Sequence, residues 1–591
     1  MKIRVFPLFI IGLCLSGLQA QNPYMPLWEF IPDGEPYVFE DPDQPGRYRV
    51  YVYGSHDMLE QYYCGRDQVV WSAPTDNLAD WRCDGVIFES VRDAQGRLLS
   101  PDGEGDVLYA PDVAEVKHPD GSKSYYLYPN NQAGGRRNMV ARSDRPDGPF
   151  EVCNWDPKDP TRTLGPLDFD PAVLVDDDGR VYGYWGFGNP HVAELDPATM
   201  ATVKPGTKVT EHMVPAREED KTFRFFEASS IRKIKDKYVF VYSRETNAGE
   251  CGLPKSNYTL AYAYSQHPTG PWTYGGTLID GRGLERRPDG TCVFTAVPNG
   301  NTHGSLCQIN GRWWVFYHRQ AGTTEYSRQA MVAPVDVEVM EGPDGYVRIS
   351  QAEFTCEGFA TEGLDPFRRW PAGIACYFTG PEPAWQEYPR VVYPGSHTEI
   401  FRHQYQGQTD LYDPACNRCT VAGNTAGSVV GYKYFDLRKT YGRRGLKLLV
   451  EYRPQTCLPA QAAKAVAYGD KAGGAQTAGS PKAARNLKGR MEIWLDRPNR
   501  EEGGVRLASL RLKVSVKDSP AARENQPEDV GSDSSANPAD ALAAEAPRTA
   551  RIRVPALRRF NGKHALFLVF HSPAEGVSLC ELESLQFTAR P

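Results

Sequence analysis

Short runs of alternating apolar and polar residues recur along the first three-fifths of the chain. Tyr48 to Tyr53 reads Tyr-Arg-Val-Tyr-Val-Tyr. Ser124 to Tyr128, Arg180 to Trp185, Lys237 to Tyr242 and Arg312 to Tyr317 follow the same style. A period of two places every second side chain on one face, which predicts half-buried strands. Tight-turn pairs precede most of them: Asp120-Gly121, Asp178-Gly179, Lys235-Asp236 and Asn310-Gly311. A turn between alternating strands predicts a hairpin. Stretches with helical periodicity are scarce.

A second pattern closes these units. Ala141-Arg-Ser-Asp-Arg-Pro-Asp-Gly-Pro-Phe150 matches Ala263-Tyr-Ser-Gln-His-Pro-Thr-Gly-Pro-Trp272, and Trp71 to Trp81 is a looser copy. Five such units over about 330 residues predict radial repetition, a five-bladed β-propeller. A β-sandwich could use the same hairpins, but the recurring closing motif favours the propeller. The pattern ends near Phe359, and Leu364 to Pro371, with two prolines, reads as a linker. Beyond it, Gly431 to Phe435, Gly445 to Tyr452, Met491 to Leu495 and Ala565 to Phe570 read as strands of a different domain. The chain is therefore expected to be all-β, with a propeller over residues 21–362 and a jelly-roll-like β-sandwich over 363–591. Two stretches, near 458–486 and 517–549, are rich in Ala, Gly, Pro and charge. They bury little apolar surface and are expected to be mobile insertions.

The extreme N-terminus breaks the pattern. Lys2 and Arg4 precede an apolar run from Val5 to Leu15, followed by Ser16-Gly17-Leu18-Gln19-Ala20. This predicts a signal peptide over residues 1–20 and a secreted protein, periplasmic or extracellular. The run is too short to span a bilayer, and no other segment is apolar enough. Export makes disulfides feasible, but the twelve cysteines beyond Cys14 are scattered. The lone CxxC, Cys416 to Cys419, lacks the second pair that a zinc ribbon requires, so a local disulfide or two free thiols is expected there. A net charge of -7 provides no basic field, which argues against nucleic acid as a partner. Oligomeric state is left open.

Chemistry enters at the start of each repeat. The first strand of a propeller blade lines the central channel, so a polar residue at its head faces the axis. The five heads offer Asp33 or Glu35, Asp112, Asp170, Glu227 and His303. Surface charge would not recur in register with strands. Cleaving a glycosidic bond takes two carboxyl groups, one to protonate the leaving oxygen and one to activate water or attack. A third acid nearby raises the donor's pKa. Several acids around one pocket supply those parts, so an oligo- or polysaccharide is the expected substrate. Asp176-Asp177-Asp178 could resemble a metal loop but reads better as a solvated hairpin turn. Trp71, Trp185 and Tyr109 are candidate stacking rings, although blade-edge aromatics more often belong to the core.

These blocks resemble glycoside hydrolase family 43 from about Pro32 to Glu353. The resemblance implies a five-bladed propeller of inverting enzymes acting on arabinofuranosides, xylosides and some galactosides. Glu227, heading Glu-Ala-Ser-Ser-Ile-Arg-Lys-Ile, matches the general acid. Asp170, in Asp-Pro-Ala-Val-Leu-Val, matches the acid that tunes and orients it. Arg328, in Ser-Arg-Gln-Ala, matches an arginine that contacts sugar. His303 matches an axial histidine beside a structural calcium or a water cluster. No cofactor is implied for the chemistry, and no residue is assigned as a metal ligand. The base segment departs from the family pattern: Pro32-Asp33-Gly34-Glu35-Pro36 replaces Ala-Asp-Pro. Placing Asp33 over Asp170 preserves the apolar alternation at Pro36 and Val38, whereas placing Glu35 there breaks it. Asp33 is thus the expected base. Glu35, two residues on and facing the same side, is expected to contact sugar, as are Asp57 and Asp112. The C-terminal domain resembles carbohydrate-binding module family 6 at Ser428 to Phe435, Met491 to Asp496 and Gly562 to Phe570.

The expected function is a secreted, exo-acting, inverting α-L-arabinofuranosidase on plant polysaccharide. β-Xylosidase is the alternative within the class, then β-galactofuranosidase or galactosidase. A non-catalytic glycan-binding protein is the alternative from another class, motivated by the altered base segment. A retaining fructan-cleaving propeller shares only the blade count, since its Asn-Asp-Pro motif is missing.

Overall fold

The computed structural model describes residues 20–58, 62–93, 96–250, 258–287, 289–296, 301–321, 325–381, 390–392, 418–457, 486–516, 545–574 and 576–590. The signal segment (1–19), Cys416 and the bulk of both insertions lie outside the described residues. So does the expected mobility of those insertions.

Aromatic and β-branched alternation builds five antiparallel sheets in chain order. The first holds Glu35–Glu40, Tyr48–Tyr53, Asp67–Pro74 and Arg82–Glu89. The second holds Asp112–Lys117, Lys123–Tyr128, Ala141–Ser143 and Glu151–Val152. The third holds Ala172–Val175, Val181–Trp185 and His191–Leu195. The fourth holds Phe225–Ile234, Lys237–Glu245, Tyr258–Ser265 and Thr273–Ile279. The fifth holds Ser305–Ile309, Arg312–Gln320 and Arg328–Val335. Every predicted strand among these is present, and the Asp176–Asp178 run is a hairpin turn. There Asp176 accepts from the Tyr238 hydroxyl and Asp178 pairs with Arg180.

Each sheet packs on the next through its apolar side chains. Tyr51 and Val70 of the first meet Tyr125 and Leu127 of the second. Ala114 and Tyr128 meet Val173 and Val181 of the third. Tyr182 and Tyr184 meet Phe225 and Phe240 of the fourth. Val239 and Leu260 join Val315 and Met331 of the fifth. Val332 and Phe316 of the fifth then pack on Val50, Val52 and Trp71 of the first. The N-terminal segment covers this junction: the Asn22 side chain donates to Val332 O and accepts from Val332 N.

The C-terminal part contains two six-stranded sheets. In one, Val429–Asp436, Asn486–Leu495 and Lys563–His571 are central. In the other, Lys447–Pro454 and Cys580–Thr588 are central. Val430, Tyr432, Met491, Ile493, Leu566 and Leu568 of the first share one core with Leu448, Val450, Leu582 and Phe587 of the second. The same core runs into the fourth and fifth sheets of the N-terminal part. The expected linker is not a free tether. Leu364 is buried, and Trp370–Pro371 forms a strand against Cys580–Thr588. Its two prolines can sit in packed extended backbone that needs no N–H there. A strand also begins at Arg548, inside the stretch assigned to the second insertion. Among the described cysteines no disulfide forms. Cys356 and Cys376 come closest, with sulfurs 3.4 Å apart. No α-helix occurs among the described residues, and no helix is long and apolar enough to cross a membrane.

Candidate active site

The heads of the first strands converge on one cavity of about 340 Å3. Asp33, Asp170 and His303 each stand two residues before a first strand, ahead of Glu35, Ala172 and Ser305. Asp33 and Asp170 share an uncommon left-handed backbone, with φ of 59° and 43°, a conformation that Asp tolerates better than most residues. This shared geometry is the physical counterpart of the register inferred for Asp33. Glu227 lies within its strand, where the pairing with Lys237–Glu245 slips around Glu227 and Ala228 takes φ 69°. The irregular backbone turns Glu227 into the same cavity.

The three acids have very different neighbours. Asp33 is buried and accepts from Arg328 Nη1 at 2.9 and 3.0 Å and from Ser55 Oγ at 2.6 Å. Its backbone N–H donates to His318 Nδ1 at 3.3 Å. Burial alone would raise its pKa, but Arg328 and His318 outweigh that and hold the carboxyl well below the usual range. Asp170 accepts from Asn130 Nδ2 at 2.8 Å and from Ala228 N at 3.0 Å. Burial, then the Asp33 charge, pushes it up to about 7. Glu227 has no hydrogen bond to its carboxyl among the described residues. Burial, then Asp170 and Asp33, pushes it well above the ordinary glutamate value. The site therefore drives the two carboxyls apart, Asp33 towards its ionised form and Glu227 towards its protonated form. General acid–base cleavage requires that division.

The remaining expected residues divide between the cavity and its support. Arg328 lines the cavity, yet its donors go to protein. Nε and Nη2 reach Asp57 at 2.9 and 2.8 Å, and Nη1 reaches Asp33 and Asn301. Asp57 lies behind the wall, gripping that guanidinium and the backbone N–H groups of Cys64 and Arg328. Glu35 and Asp112 also stand apart from the cavity. They begin their strands instead of preceding them, so they sit one layer deeper. Glu35 accepts from Arg232 Nη2 at 2.7 Å, and Asp112 accepts from Tyr37 OH at 2.6 Å and from Val113 and Val173 backbone N–H groups. The residue of the second sheet that is level with Asp33 is Ala110, and it lines the cavity. Burial, partly offset by Arg232, pushes Glu35 up to about 7.

His303 lines the cavity, with Nδ1 3.9 Å from Asp170. Burial lowers its pKa to about 4, so it is a neutral imidazole. Its Nε2 is buried and unpartnered. That is one nitrogen, whereas calcium takes roughly six to eight oxygens. The described residues offer no cluster of metal-ligating side chains around it, so the protein's own groups do not by themselves build a calcium site.

Tyr109 lines the cavity, whereas Trp71 and Trp185 are buried in the cores between sheets. Sequence reasoning missed Tyr63, Gln132, Phe169, Phe226, Tyr258, Asn301 and Glu325 of the lining. Phe169 and Phe226 immediately precede Asp170 and Glu227, and this doublet of Phe before an acid was the available signal. Tyr258 begins the strand Tyr258–Ser265, and the others come from loops with no repeat to mark them.

A family model described as Glycosyl hydrolases family 43 matches residues 38–339. The chain is 34% identical over 449 residues to a xylosidase/arabinosidase of Thermoclostridium stercorarium, covering 73% of this chain and 85% of that one. It is 28% identical over 378 residues to an arabinoxylan arabinofuranohydrolase of Paenibacillus polymyxa, covering 59% of this chain and 54% of that one. A crystal structure of an arabinoxylan arabinofuranohydrolase from Bacillus subtilis aligns at 20% identity and a TM-score of 0.39, over 96% of this chain and 97% of that one. The chain belongs to glycoside hydrolase family 43 and is a glycoside hydrolase acting on O-glycosyl bonds.

Proposed function

We propose that this protein is an exo-acting, inverting α-L-arabinofuranosidase that trims terminal sugars from plant polysaccharide after export through its N-terminal signal segment. Glu227 donates a proton to the leaving oxygen. Asp170 keeps that proton in place by repelling ionisation. Asp33 activates water on the opposite side of the sugar. The observation that carries this reading is the split within one cavity, with Asp33 held well below the usual carboxylate range beside Arg328 while burial and two neighbouring acids push Glu227 well above its ordinary value. The contact of the fifth sheet with the first supports a closed five-bladed propeller around that cavity. The core shared between the two six-stranded sheets supports a β-sandwich of the carbohydrate-binding kind.

The relatives named as xylosidase/arabinosidase and arabinoxylan arabinofuranohydrolase support arabinofuranose as the sugar. The paired name keeps β-xylosidase as the second reading. A panel of aryl α-L-arabinofuranoside, β-D-xyloside and β-D-galactofuranoside is the test. The arabinofuranoside is expected to turn over fastest, and proton NMR of the first-formed sugar is expected to show inversion. Preference for the xyloside, or retention, would overturn the assignment.

A further inference from the structure

Phe187 is exposed where a large apolar ring is ordinarily hidden. It is 55% exposed, at the turn between Val181–Trp185 and His191–Leu195. The ring is not loose. It contacts Phe169 at 5.0 Å between centroids, tilted by 48°, and Phe226 at 5.0 Å, edge to face at 62°. Phe226 in turn stacks on Tyr258 at 5.2 Å. Phe169, Phe226 and Tyr258 all line the catalytic cavity. Phe187 thus extends an aromatic ridge from the cavity wall out to solvent.

The turn that presents it is pinned at both ends. Gly186 N donates to Phe169 O at 2.9 Å, and Gly188 N donates to Phe226 O at 2.7 Å. Both glycines take positive φ, 136° and 67°. A Cβ on Gly186 would come within 2.1 Å of Asn189 O. The exposed ring is therefore held to the two residues that immediately precede Asp170 and Glu227. A ring fixed before binding loses little conformational freedom when a ligand covers it.

We infer that Phe187 is a specificity-determining platform for the sugar on the leaving-group side of the cleaved bond. This rests on the glycoside-cleaving assignment of Glu227 and Asp33. The leaving group departs on the donor's side, away from the water held by Asp33. The ridge begins at Phe226, directly beside the donor, and runs outward from there. The apolar C–H face of a pyranose ring matches an exposed phenyl face, and covering both removes apolar surface from water. The occupant is a second sugar of the same glycan chain, not a lone monosaccharide.

Two variants and two substrates test this. The substrates are the methyl glycoside of the sugar that the aryl panel identifies, and a xylo-oligosaccharide carrying that sugar. A methyl group has nothing to stack, whereas a nitrophenyl group would. Phe187→Ala is expected to lower kcat/KM on the oligosaccharide by about tenfold while changing the methyl glycoside by less than about twofold, because remote contacts on the leaving group act only when the group is there. Phe187→Trp is expected to restore the oligosaccharide rate. Equal loss on both substrates, or loss on neither, overturns the platform. Wild-type protein that cleaves neither substrate overturns the function assignment itself, a different failure.

Discussion

Asp33 and Glu227 are both carboxylic acids in one cavity, and their surroundings push their proton affinities in opposite directions. Arg328, His318 and Ser55 surround Asp33, whereas Glu227 faces two acids and accepts no hydrogen bond among the described residues. The direction of each shift sets a pH profile. The raised donor is active with its proton on, so kcat/KM is lost as pH rises past the Glu227–Asp170 pair. With Asp170 pushed up to about 7, the decline is expected to begin near neutrality. The lowered base is active with its proton off, so the acid limb is expected to fall below the ordinary carboxylate range. In Glu227→Ala, assayed on an aryl glycoside with a good leaving group, the alkaline limb is expected to vanish while the acid limb stays. Persistence of the alkaline limb in that variant would remove Glu227 from the donor role. At this scale Asp33, Asp170 and Glu227 were legible as candidates, because each stands near the start of a repeated strand. The function of Asp57 was not. It lies 271 positions from the arginine it holds, and nothing local marks that pairing.

At the scale of the element, strand heads decide what reaches the cavity. In the first, second, third and fifth sheets the residue two positions before the first strand lines the cavity, whereas Glu35 and Asp112, which begin theirs, lie a layer below. Glu35 and Asp112 were expected at the cavity because alternation puts them on its side, and alternation carries no depth. Depth comes from where each strand starts pairing, at Glu35 opposite Tyr53 and at Asp112 opposite Tyr128. The end of the second strand of the first sheet also packs against the segment that carries Asp33, the proposed base. A Cβ on Gly54 would meet Pro32 O at 2.3 Å and Ile31 Cγ2 at 2.7 Å. Gly54→Ala must therefore displace the Pro32–Asp33 segment. Overpacking of this kind costs roughly 1–3 kcal/mol, and an ångström of misplacement in a catalytic group costs about a hundredfold in rate. Gly54→Ala is expected to unfold at lower temperature and to lose kcat far more than KM. A variant with wild-type kcat would show that this strand does not position Asp33.

At the scale of the whole molecule, the C-terminal sheets share a core with the fourth and fifth sheets of the N-terminal part. Arg319, in the fifth sheet, is fully buried and has no carboxylate partner among the described residues. Its guanidinium donates to Gln329 Oε1 and to the carbonyls of Gly373 and Ala375, which belong to the C-terminal part. Lys433 also reaches Glu285 at 3.0 Å, and Lys563 reaches Glu357 at 2.7 Å. Arg319→Met leaves three buried acceptors bare, at about 1–3 kcal/mol each. It is expected to lower the midpoint of a single cooperative thermal transition, followed by circular dichroism. A chain ending at residue 362 is expected to lose that transition, since it exposes the shared core and strands the Arg319 charge. Retention of the wild-type midpoint by the truncated chain would show two independent folding units instead.

The amino-acid order by itself determined the strands, the hairpin turns, the five repeats and the acids at their heads. Each of those depends on neighbours a few residues apart, and period-two alternation or a turn pair records them directly. Tertiary structure decided which acid is ionised, which lie below the cavity floor, and how the aromatic ridge leads out to Phe187. It also turned a proline-bearing linker into a paired strand and joined the two parts in one core. A carboxyl's proton affinity depends on burial and on the distance to other charges. Arg328 reaches Asp33 from 295 positions away, a separation in sequence that closes only when the first and fifth sheets pack together.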